Sequence, residues 1–388
     1  MRFPEFSGEW NNYTINDLAT VVGGGTPDTT VKSYWGGDIQ WFTPSEIGKN
    51  KYVDFSKRTI TRDGLDNSSA KLLPLHTILL SSRATVGECS IASNECTTNQ
   101  GFQSLIAKQC NIDFLYYLIQ TKKKDLIRNA CGSTFLEISA NEIRKIKVAV
   151  PVQNEQEQIA KLLSLIDERI ATQNKIIEKL QSLIKGLNDH ILKNIEGDQV
   201  CFADLGEAYG GLSGKSGDDF GCGNPFITYM NVYQNTYISE NDYELVQIAP
   251  DEKQNSVQYG DALFTLSSET PEEVGMGAVY LGKSQKLYLN SFCFGVHFHG
   301  NRVLPQYIAH FISSTSFRKA IYPLAQGSTR FNLQKQDFMR MKFVLPSLEE
   351  QERIATALDA LHNHLANEKL LTEQYLLLKQ FLLQQMFI

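Results

Sequence analysis

The segment VAVPVQNEQEQIAKLLSLID, Val148–Asp167, decides the fold, because a second segment, FVLPSLEEQERIATALDAL at Phe343–Leu361, repeats its pattern. Each segment has an apolar run, a proline, and then Glu-Gln-x-x-Ile-Ala. A proline followed by acidic residues is typical of a helix start, since carboxylates stabilise the positive end of the helix dipole. The sequence therefore predicts two long helices at equivalent places in two halves of the chain.

The repeat extends upstream of both helices. Gly-Ser-Thr occurs at Gly132 and again, at the same distance from the proline, at Gly327. NDLATVVGGGT from Asn16 aligns with ADLGEAYGGLS from Ala203. LLSSRATVG from Leu79 aligns with TLSSETPEEVG from Thr265 through a two-residue insertion, which sets Arg83 opposite Glu269. These matches predict a tandem duplication.

Both helices carry an apolar seam with spacings of four and three, which predicts packing against a partner helix. A helix lying across a globular core would show a wider apolar stripe. The expected partner is the duplicate helix, packed as an antiparallel coiled coil with pseudo-twofold symmetry. Gln173 is a polar member of the first seam, and the second seam changes phase between Leu365 and Leu371. The predicted seam residues are Ile159, Leu163, Ile166, Ile170, Ile177, Leu180, Ile184 and Leu187, and Ile354, Leu358, Leu361, Leu365, Tyr375, Leu378 and Leu382.

The remaining sequence of each half predicts short strands separated by Gly, Asn, Asp and Ser clusters, with one helical stretch before the Gly-Ser-Thr loop. The fold class is therefore α+β, with two mixed domains in tandem, each followed by a long helix. We predict domains at residues 1–150 and 197–345 and helical segments at 151–196 and 346–388.

Composition excludes several classes of protein. The 388 residues suffice for two domains, and no long apolar run or signal peptide is evident, which favours a cytoplasmic protein without a membrane span. Seven scattered cysteines fit reduced thiols better than a disulfide framework. The net charge of −6 gives no indication of nucleic-acid binding.

The duplicated arrangement, together with RFPEFSGEW near the start of the chain and NQGF from Asn99, resembles the specificity subunit of type I restriction-modification enzymes. This resemblance covers essentially the whole chain. It implies two target-recognition domains that each read one half of a bipartite, asymmetric site in double-stranded DNA. It also implies helices that set the spacing between the half-sites, since about forty helical residues span about 60 Å, more than one turn of B-DNA.

The resemblance further implies partners that carry the chemistry. Two modification (methyltransferase) subunits dock on the helices, and restriction/translocase subunits join them. The chain lacks the Asn-Pro-Pro-aromatic or Asp-Pro-Pro-aromatic motif of an adenine methyltransferase, so we predict no catalytic residue. Cys293, His297 and His299 could share one strand face, but no fourth ligand is evident and the first half lacks the set, so we predict no metal site. S-adenosylmethionine, Mg²⁺ and ATP are expected only in the partner subunits. Because neither domain is basic, the chain alone is expected to bind DNA weakly.

Candidate DNA contacts are turn residues with donor groups. Arg83 suits the O6 and N7 atoms of guanine, although a solvated surface arginine fits the same sequence. GGLSGKSG from Gly210 has the wrong spacing for a phosphate loop and predicts a flexible loop instead. Lys122–Lys124 favour a solvated helix face. The predicted DNA-binding residues are Thr26, Ser82, Arg83, Gly132, Ser133, Thr134, Lys215, Ser268, Gly327, Ser328, Thr329 and Arg330.

One reading from another functional class stays open at this point. A coiled-coil adaptor or scaffold with two protein- or ligand-binding domains would have the same helices and the same duplication. DNA binding in the presence of a modification subunit distinguishes the two functions.

Overall fold

The apolar run before each proline forms a short strand, and the residues after it form a long helix. The structure is a computed structural model that describes residues 2–132 and 136–387. Two units are distinguished by their internal contacts: unit 1 comprises residues 1–174 and 370–388, and unit 2 comprises residues 175–369. Each long helix therefore belongs partly to one unit and partly to the other.

Unit 1 is a mixed α+β domain together with the start of the first long helix. Its helices are α1 Ile15–Leu18, α2 Arg62–Asp66, α3 Ile112–Thr121, α4 Lys123–Arg128, α5 Ala140–Lys145 and the first part of α6 Gln153–Lys193. Its strands are β1 Asn11–Thr14, β2 Ala19–Gly23, β3 Trp35–Phe42, β4 Tyr52–Val53, β5 Arg58–Ile60, β6 Ile78–Leu80, β7 Cys89–Ala92, β8 Cys96–Thr98, β9 Gln103–Ala107 and β10 Lys147–Val150.

The strands of unit 1 form a five-stranded sheet in the order β2-β9-β6-β7-β4, a three-stranded sheet β5-β3-β8 and a strand pair β1-β10. Helix α3 is apolar on most of its surface and is buried against the larger sheet. The start of α6 joins the same core through Ile159 and Leu163. The core therefore connects the sheet directly to the long helix.

Unit 2 repeats this organisation. Its helices are α7 Phe202–Leu205, α8 Tyr229–Gln234, α9 Pro305–Ser313, α10 Thr315–Ile321, α11 Lys335–Met339 and the first part of α12 Leu348–Met386. Its strands are β11 Asp198–Cys201, β12 Gly206–Gly210, β13 Phe220–Ile227, β14 Tyr243–Val246, β15 Ala262–Thr265, β16 Ser267–Ser268, β17 Gly277–Val279, β18 Tyr288–Leu289, β19 Cys293–Phe298, β20 Ala325–Gln326, β21 Phe331–Leu333 and β22 Lys342–Leu345.

The strand order in unit 2 confirms the duplication. The sheet β12-β19-β15-β17 corresponds to β2-β9-β6-β7, the sheet β14-β13-β18 corresponds to β5-β3-β8, and the pair β11-β22 corresponds to β1-β10. The register agrees as well, because Asn11 pairs with Val150 before Pro151 and Asp198 pairs with Leu345 before Pro346. A further sheet, β16-β21-β20, contains the residues around the second Gly-Ser-Thr loop.

The two long helices run in opposite directions within each unit. In unit 1, Leu382 and Met386 of α12 share a core with Ile159 and Leu163 near the start of α6. In unit 2, Leu187 and Ile191 near the end of α6 pack against the core that contains Ile354 and Leu358 of α12, near its start. The predicted antiparallel pairing is confirmed in each unit.

The seam of α12 differs from the prediction at two points. Leu378 is 44% exposed, whereas its neighbour Lys379 lies inward and forms an ion pair with Asp167 of α6. Thr372, which is 9% exposed, occupies the position predicted for Leu371. The seam therefore keeps its heptad phase through polar residues, and the predicted change of phase is wrong because polar side chains were left out of the pattern.

Helices that cross a membrane are long and strongly apolar. Among the described residues, no helix meets both conditions.

Candidate nucleic-acid interface

Backbone hydrogen bonds bring separate loops of unit 1 together at one edge. The N–H of Ser82 donates to the carbonyl of Gly101 over 2.8 Å, and the N–H of Ile138 donates to the carbonyl of Ser82 over 2.9 Å. The N–H of Ala84 donates to the carbonyl of Leu136 over 3.1 Å. We call this surface the first loop edge; it contains Thr26, Ser82–Thr85, Asn99–Gly101, Gly132 and Leu136–Ile138.

The same bonds recur in unit 2. The N–H of Leu266 donates to the carbonyl of Phe292 over 2.8 Å, and the N–H of Leu333 donates to the carbonyl of Leu266 over 2.9 Å. Ser268 pairs with Phe331 between β16 and β21. We call this surface the second loop edge; it contains Ser213, Leu266–Glu269, Asn290–Phe292 and Gly327–Leu333.

These bonds correct the alignment of the two halves. Ser82 is equivalent to Leu266, so the counterpart of Arg83 is Ser267 and not Glu269. The following turn closes with an N–H to carbonyl bond of 3.0 Å in both units, from Gly87 to Ser81 and from Gly275 to Thr265. The insertion in unit 2 therefore has four residues and not two. The shared Ser-Ser pair misled the alignment, since strand register depends on backbone pairing and not on letter identity.

Two asparagines and two glycines build the edges in the same way. The side chains of Asn99 and Asn290 each accept a hydrogen bond of 2.9 Å from the N–H two residues later, which is an Asx turn. A Cβ atom on Gly24 or Gly211 would lie 2.0 Å from the carbonyl oxygen of that asparagine. Glycine is required at both positions because the two backbones meet there.

The first loop edge exposes an arginine that is only weakly held. Nε of Arg83 lies 3.5 Å from Oε2 of Glu137, and the two side chains are 49% and 50% exposed. An exposed pair of this kind contributes at most about 1 kcal/mol, so the guanidinium is free to exchange Glu137 for another acceptor. Nearby, the Thr26 hydroxyl donates to the side-chain oxygen of Gln100. The edge thus presents both donors and acceptors.

The second loop edge exposes a different set of side chains. The guanidinium carbon of Arg330 lies 5.2 Å from the ring centroid of Phe292, which is 50% exposed. Ser328 and Thr329 are exposed beside them. A guanidinium over an aromatic face is an arrangement that also stacks with bases. Since the backbone frame is shared and these side chains differ, the two edges present different chemistry on the same scaffold.

The Gly-Ser-Thr loops begin at glycines with positive φ, +118° at Gly132 and +142° at Gly327, and both glycines are exposed. The predictions for Ser133 and Thr134 lie outside the described residues. For Gly132, Gly327, Ser328, Thr329 and Arg330, exposure is compatible with a contact to DNA, which stays a prediction.

Three other predicted contacts point inward. Ser82 is fully buried, and the hydroxyl of Ser268, which is 8% exposed, donates to Glu273 over 2.9 Å. Nζ of Lys215 donates to the carbonyl of Gln247 and to Glu252, both over 2.6 Å, and lowers the pKa of Glu252 to about 2. This placement disagrees with direct DNA contacts, because a buried side chain reaches a ligand only after rearrangement.

A half-buried arginine that the sequence did not single out supports the second loop edge. Arg318 of α10 donates to the carbonyls of Glu272, Val274 and Gly275 over 2.7, 2.7 and 2.5 Å. It therefore fixes the turn that carries the four-residue insertion. In unit 1 the ammonium of Lys123 on α4 pairs with Glu88 in the corresponding turn, and the two side chains are 46% and 38% exposed. Lys123 and Lys124 are exposed, in agreement with the predicted solvated helix face.

Sequence reasoning also missed Gln100, Glu137 and Phe292. NQGF was noted only as a family resemblance, although an Asn two residues before a glycine is itself a turn signal. Glu137 became relevant only when β pairing placed it beside Arg83. Among the described residues, no group of three or more His, Cys, Asp or Glu side chains is arranged to hold a metal ion.

Comparison with known families identifies the class of protein. The family model of the type I restriction modification DNA specificity domain matches the chain twice, at residues 7–182 and 212–374. The chain belongs to this family. The resemblance inferred from the paired helix starts is thereby confirmed, and nothing favours the adaptor alternative.

Individual relatives agree with the family assignment. The chain is 39% identical over 183 residues to the type I restriction enzyme MjaIX specificity subunit of Methanocaldococcus jannaschii, covering 44% of this chain and 42% of that protein. It is 28% identical over 175 residues to the EcoR124I/EcoR124II specificity subunit of Escherichia coli, covering 43% of each. These alignments therefore span less than half of either relative.

Solved structures show the same fold. A type I restriction-modification S subunit from M. genitalium superposes with a TM-score of 0.55 at 15% identity, over 100% of this chain and 99% of that chain. A chain from a study of complex assembly and conformational transition in the type I R-M system gives a TM-score of 0.64 at 14% identity, over 98% of both chains. At this level of identity the likeness concerns the fold alone.

Proposed function

We propose that this chain is the DNA sequence-specificity subunit of a type I restriction-modification complex and has no active site of its own. Each unit reads one half of a bipartite, asymmetric site in double-stranded DNA through its loop edge. The observation that carries this proposal is that one backbone frame, built twice, presents Arg83 and Gln100 in unit 1 but Arg330 and Phe292 in unit 2. A frame that both units share, with different exposed groups, suits recognition of two different half-sites.

Base readout accounts for the side chains at these edges. Arginine is the commonest partner of guanine O6 and N7, and a glutamine amide pairs with adenine N6 and N7. The exposed loop backbone and hydroxyls of Ser328 and Thr329 suit phosphate oxygens, which fix register without reading sequence. The long helices set the distance between the two half-sites.

Partner subunits supply methylation and cleavage. Exposed apolar side chains line the helices within unit 1, and such surfaces mark protein contacts. They suit the docking of modification subunits and include Leu165, Leu370, Leu376, Leu377 and Phe381, each at least 50% exposed. Two modification subunits and restriction/translocase subunits complete the complex in the cytoplasm, where its DNA is. S-adenosylmethionine, Mg²⁺ and ATP bind to those partners.

The decisive experiment is methylome sequencing of cells that express the chain with its modification subunit. We expect a split adenine-methylated motif that disappears when this chain is deleted. Exchanging residues 1–150 for the first domain of another family member should change one half of the motif and leave the other unchanged. A motif that survives deletion, or changes in both halves, contradicts the proposal.

Salt dependence tests the division of labour between subunits. With a net charge of −6, the isolated chain should bind DNA weakly, and the modification subunits should supply the missing cations. Gel shifts of the chain alone and of the complex, across a range of salt concentrations, compare the two. Tight, salt-sensitive binding by the isolated chain is the contradicting result.

A further inference from the structure

In unit 1, residues 2–10 cover the start of α6. The guanidinium of Arg2 forms two bonds to the carboxylate of Glu155, over 2.6 and 2.7 Å. The indole N–H of Trp10 donates to the same carboxylate over 3.3 Å, and its ring packs edge-on against Phe114 and Phe387. As a result, the Glu155 side chain is fully buried. The segment RFPEFSGEW therefore packs as an integral part of unit 1.

Unit 2 has an equivalent place, but a different segment of the chain leads into its first strand. The residue before β1 is Trp10, whereas the residue before β11 is Gly197, and only residues 194–197 lie between α6 and β11. The counterpart of Glu155 is Glu350, whose side chain is 33% exposed. A cavity of 510 Å³ opens beside it, and its lining includes Glu196, Asp198, Arg302, Pro346, Leu348 and Glu350.

The lining of this cavity combines acidic side chains with apolar side chains. Glu196, Asp198 and Glu350 supply carboxylates against Arg302, while Pro346 and the 45% exposed Leu348 supply an apolar wall. In unit 1, Arg2 and Trp10 likewise occupy a place where the Glu155 carboxylate lies next to apolar side chains, there those of Phe114 and Phe387. The chemistry therefore matches a polypeptide segment with an arginine and an aromatic side chain.

In the described part of the chain, the carboxylate of Glu350 is paired within its own helix. Arg353 donates to both of its oxygens, over 2.9 and 2.6 Å, and the Arg353 side chain is 76% exposed. An exposed pair of this kind is worth at most about 1 kcal/mol, so an incoming guanidinium can share or replace it. In addition, the hydroxyl of the buried Tyr307, which corresponds to Phe114, has no hydrogen-bond partner among residues 2–132 and 136–387. Tyr307 lies close enough for Glu350 to contribute to raising its pKa, after burial itself.

We infer that the cavity around Glu350 is a docking site for a segment of a partner polypeptide, in which an arginine binds Glu350 and an aromatic ring packs on Leu348. The site goes beyond DNA recognition and does not depend on it. Residues 2–10 are the template for the occupant, because they fill the equivalent place in unit 1.

The probe is the synthetic peptide RFPEFSGEW with a fluorescent label, titrated with the full chain in the absence of DNA. The chain's own residues 2–10 are tethered beside Glu155, and an effective concentration near the millimolar range keeps a micromolar peptide from displacing them. We expect one peptide to bind per chain. Glu350→Gln should weaken binding about tenfold or more, because a charged hydrogen-bond acceptor is lost. The neighbouring exposed Glu349→Gln is the matched control and should leave affinity unchanged.

Location and chemistry are tested separately. The peptide with Arg2→Gln should bind as weakly as the native peptide binds to the Glu350→Gln chain, and photo-crosslinks should map to residues 196–198 or 345–350. Absence of binding, insensitivity to Glu350→Gln, or crosslinks around Glu155 overturn the inference. Self-association of the chain that Glu350→Gln abolishes also overturns it, since a second copy would then be the occupant. None of these outcomes affects the proposal that the chain recognises DNA, which methylome sequencing tests separately.

Discussion

Gln351 and Pro346 are joined by a hydrogen bond of 2.9 Å from the side-chain amide to the carbonyl five residues earlier. The amide oxygen of Gln351 accepts from the N–H of Leu304, just before α9, over 2.8 Å. Gln156 forms the same two bonds in unit 1, to the carbonyl of Pro151 and from the N–H of Asn111, both over 3.0 Å. This glutamine therefore connects the start of a long helix to the domain before it. That role explains why the glutamine of the Glu-Gln pair occurs at the start of both long helices.

The first prediction concerns this glutamine. Gln351→Ala should lower the free energy of unfolding by about 1–3 kcal/mol, because it leaves buried backbone groups without partners. Gln156→Ala should cost a similar amount. The exposed Gln158→Ala on α6 is the control and should change stability by less than about 0.5 kcal/mol. Urea unfolding measures all three, and equal effects for Gln351 and Gln158 would refute this role.

The second prediction separates positioning from contact at the second loop edge. Arg318→Lys keeps the charge but cannot donate to three carbonyls at once, so the turn at 272–275 should loosen. We expect affinity for the second half-site to fall about tenfold, while discrimination at the first half-site stays unchanged. Lys319→Met, at an exposed neighbour, is the control. Binding of DNA with one half-site altered at a time provides the measurement, and equal losses at both half-sites count against the role.

The third prediction concerns base readout by Arg83. Arg83→Ala should cost about 1–3 kcal/mol of discrimination at one base pair of the first half-site. The exposed Arg128→Ala on α4 removes the same charge outside the first loop edge and should leave the preferred sequence unchanged. Selection of bound sequences from a random pool, performed on the complex, distinguishes the two. An unchanged motif for Arg83→Ala would reduce Arg83 to a surface residue.

The fourth prediction concerns the polar part of the helix seam in unit 1. Nζ of Lys379 lies 2.7 Å from Oδ1 of Asp167, and the two side chains are 17% and 16% exposed. The hydroxyl of Tyr117 donates to the other oxygen of Asp167 over 2.6 Å. Lys379→Met should therefore destabilise the chain by about 1–3 kcal/mol, because a half-buried carboxylate loses its counter-charge. Lys161→Met, exposed on α6, is the control in thermal unfolding; a neutral or stabilising Lys379→Met would show that the pair contributes nothing.

The fifth prediction concerns pH and unit 2. His310 is 1% exposed, and its Nε2 lies 2.8 Å from Asp359, which also accepts the hydroxyl of Tyr237 over 2.6 Å. Burial lowers the pKa of His310 in spite of Asp359, and burial together with His310 lowers the pKa of His362. A histidine with a lowered pKa in the folded state stabilises the fold fully above its unfolded pKa of about 6.5 and loses that contribution as the pH falls below it.

Unfolding free energy should therefore decrease between pH 7.5 and pH 5.5, by up to about 1.4 kcal/mol per pH unit for each histidine. His310→Gln should reduce this slope even if it lowers stability at pH 7.5. His364→Gln, whose native side chain is 54% exposed, should leave the slope unchanged. A slope that is identical in all three proteins would exclude His310 as its source.

The sequence predicted most of the helical architecture because burial in a helix pair leaves a periodic pattern that local reading detects. Ile159, Leu163, Ile354 and Leu358 are all buried as expected. The inward position of Lys379 was not predicted, because a lysine is expected to be exposed unless its partner is known. That partner, Asp167, lies on another helix. The alignment of Arg83 with Glu269 failed for a related reason, since only backbone pairing reveals that Ser82 stands opposite Leu266.

What the sequence by itself determined is the duplication, the two long helices and the family, all of which rest on local periodicity and on repeated helix starts. Tertiary structure alone decided which turn residues face outward, as with Arg83 and Arg330, and which are buried, as with Ser82 and Lys215. It also decided that Glu155 is covered by residues 2–10 whereas Glu350 borders a cavity. The physical reason is that burial and pairing depend on groups distant in the chain, and local sequence does not specify which of them meet.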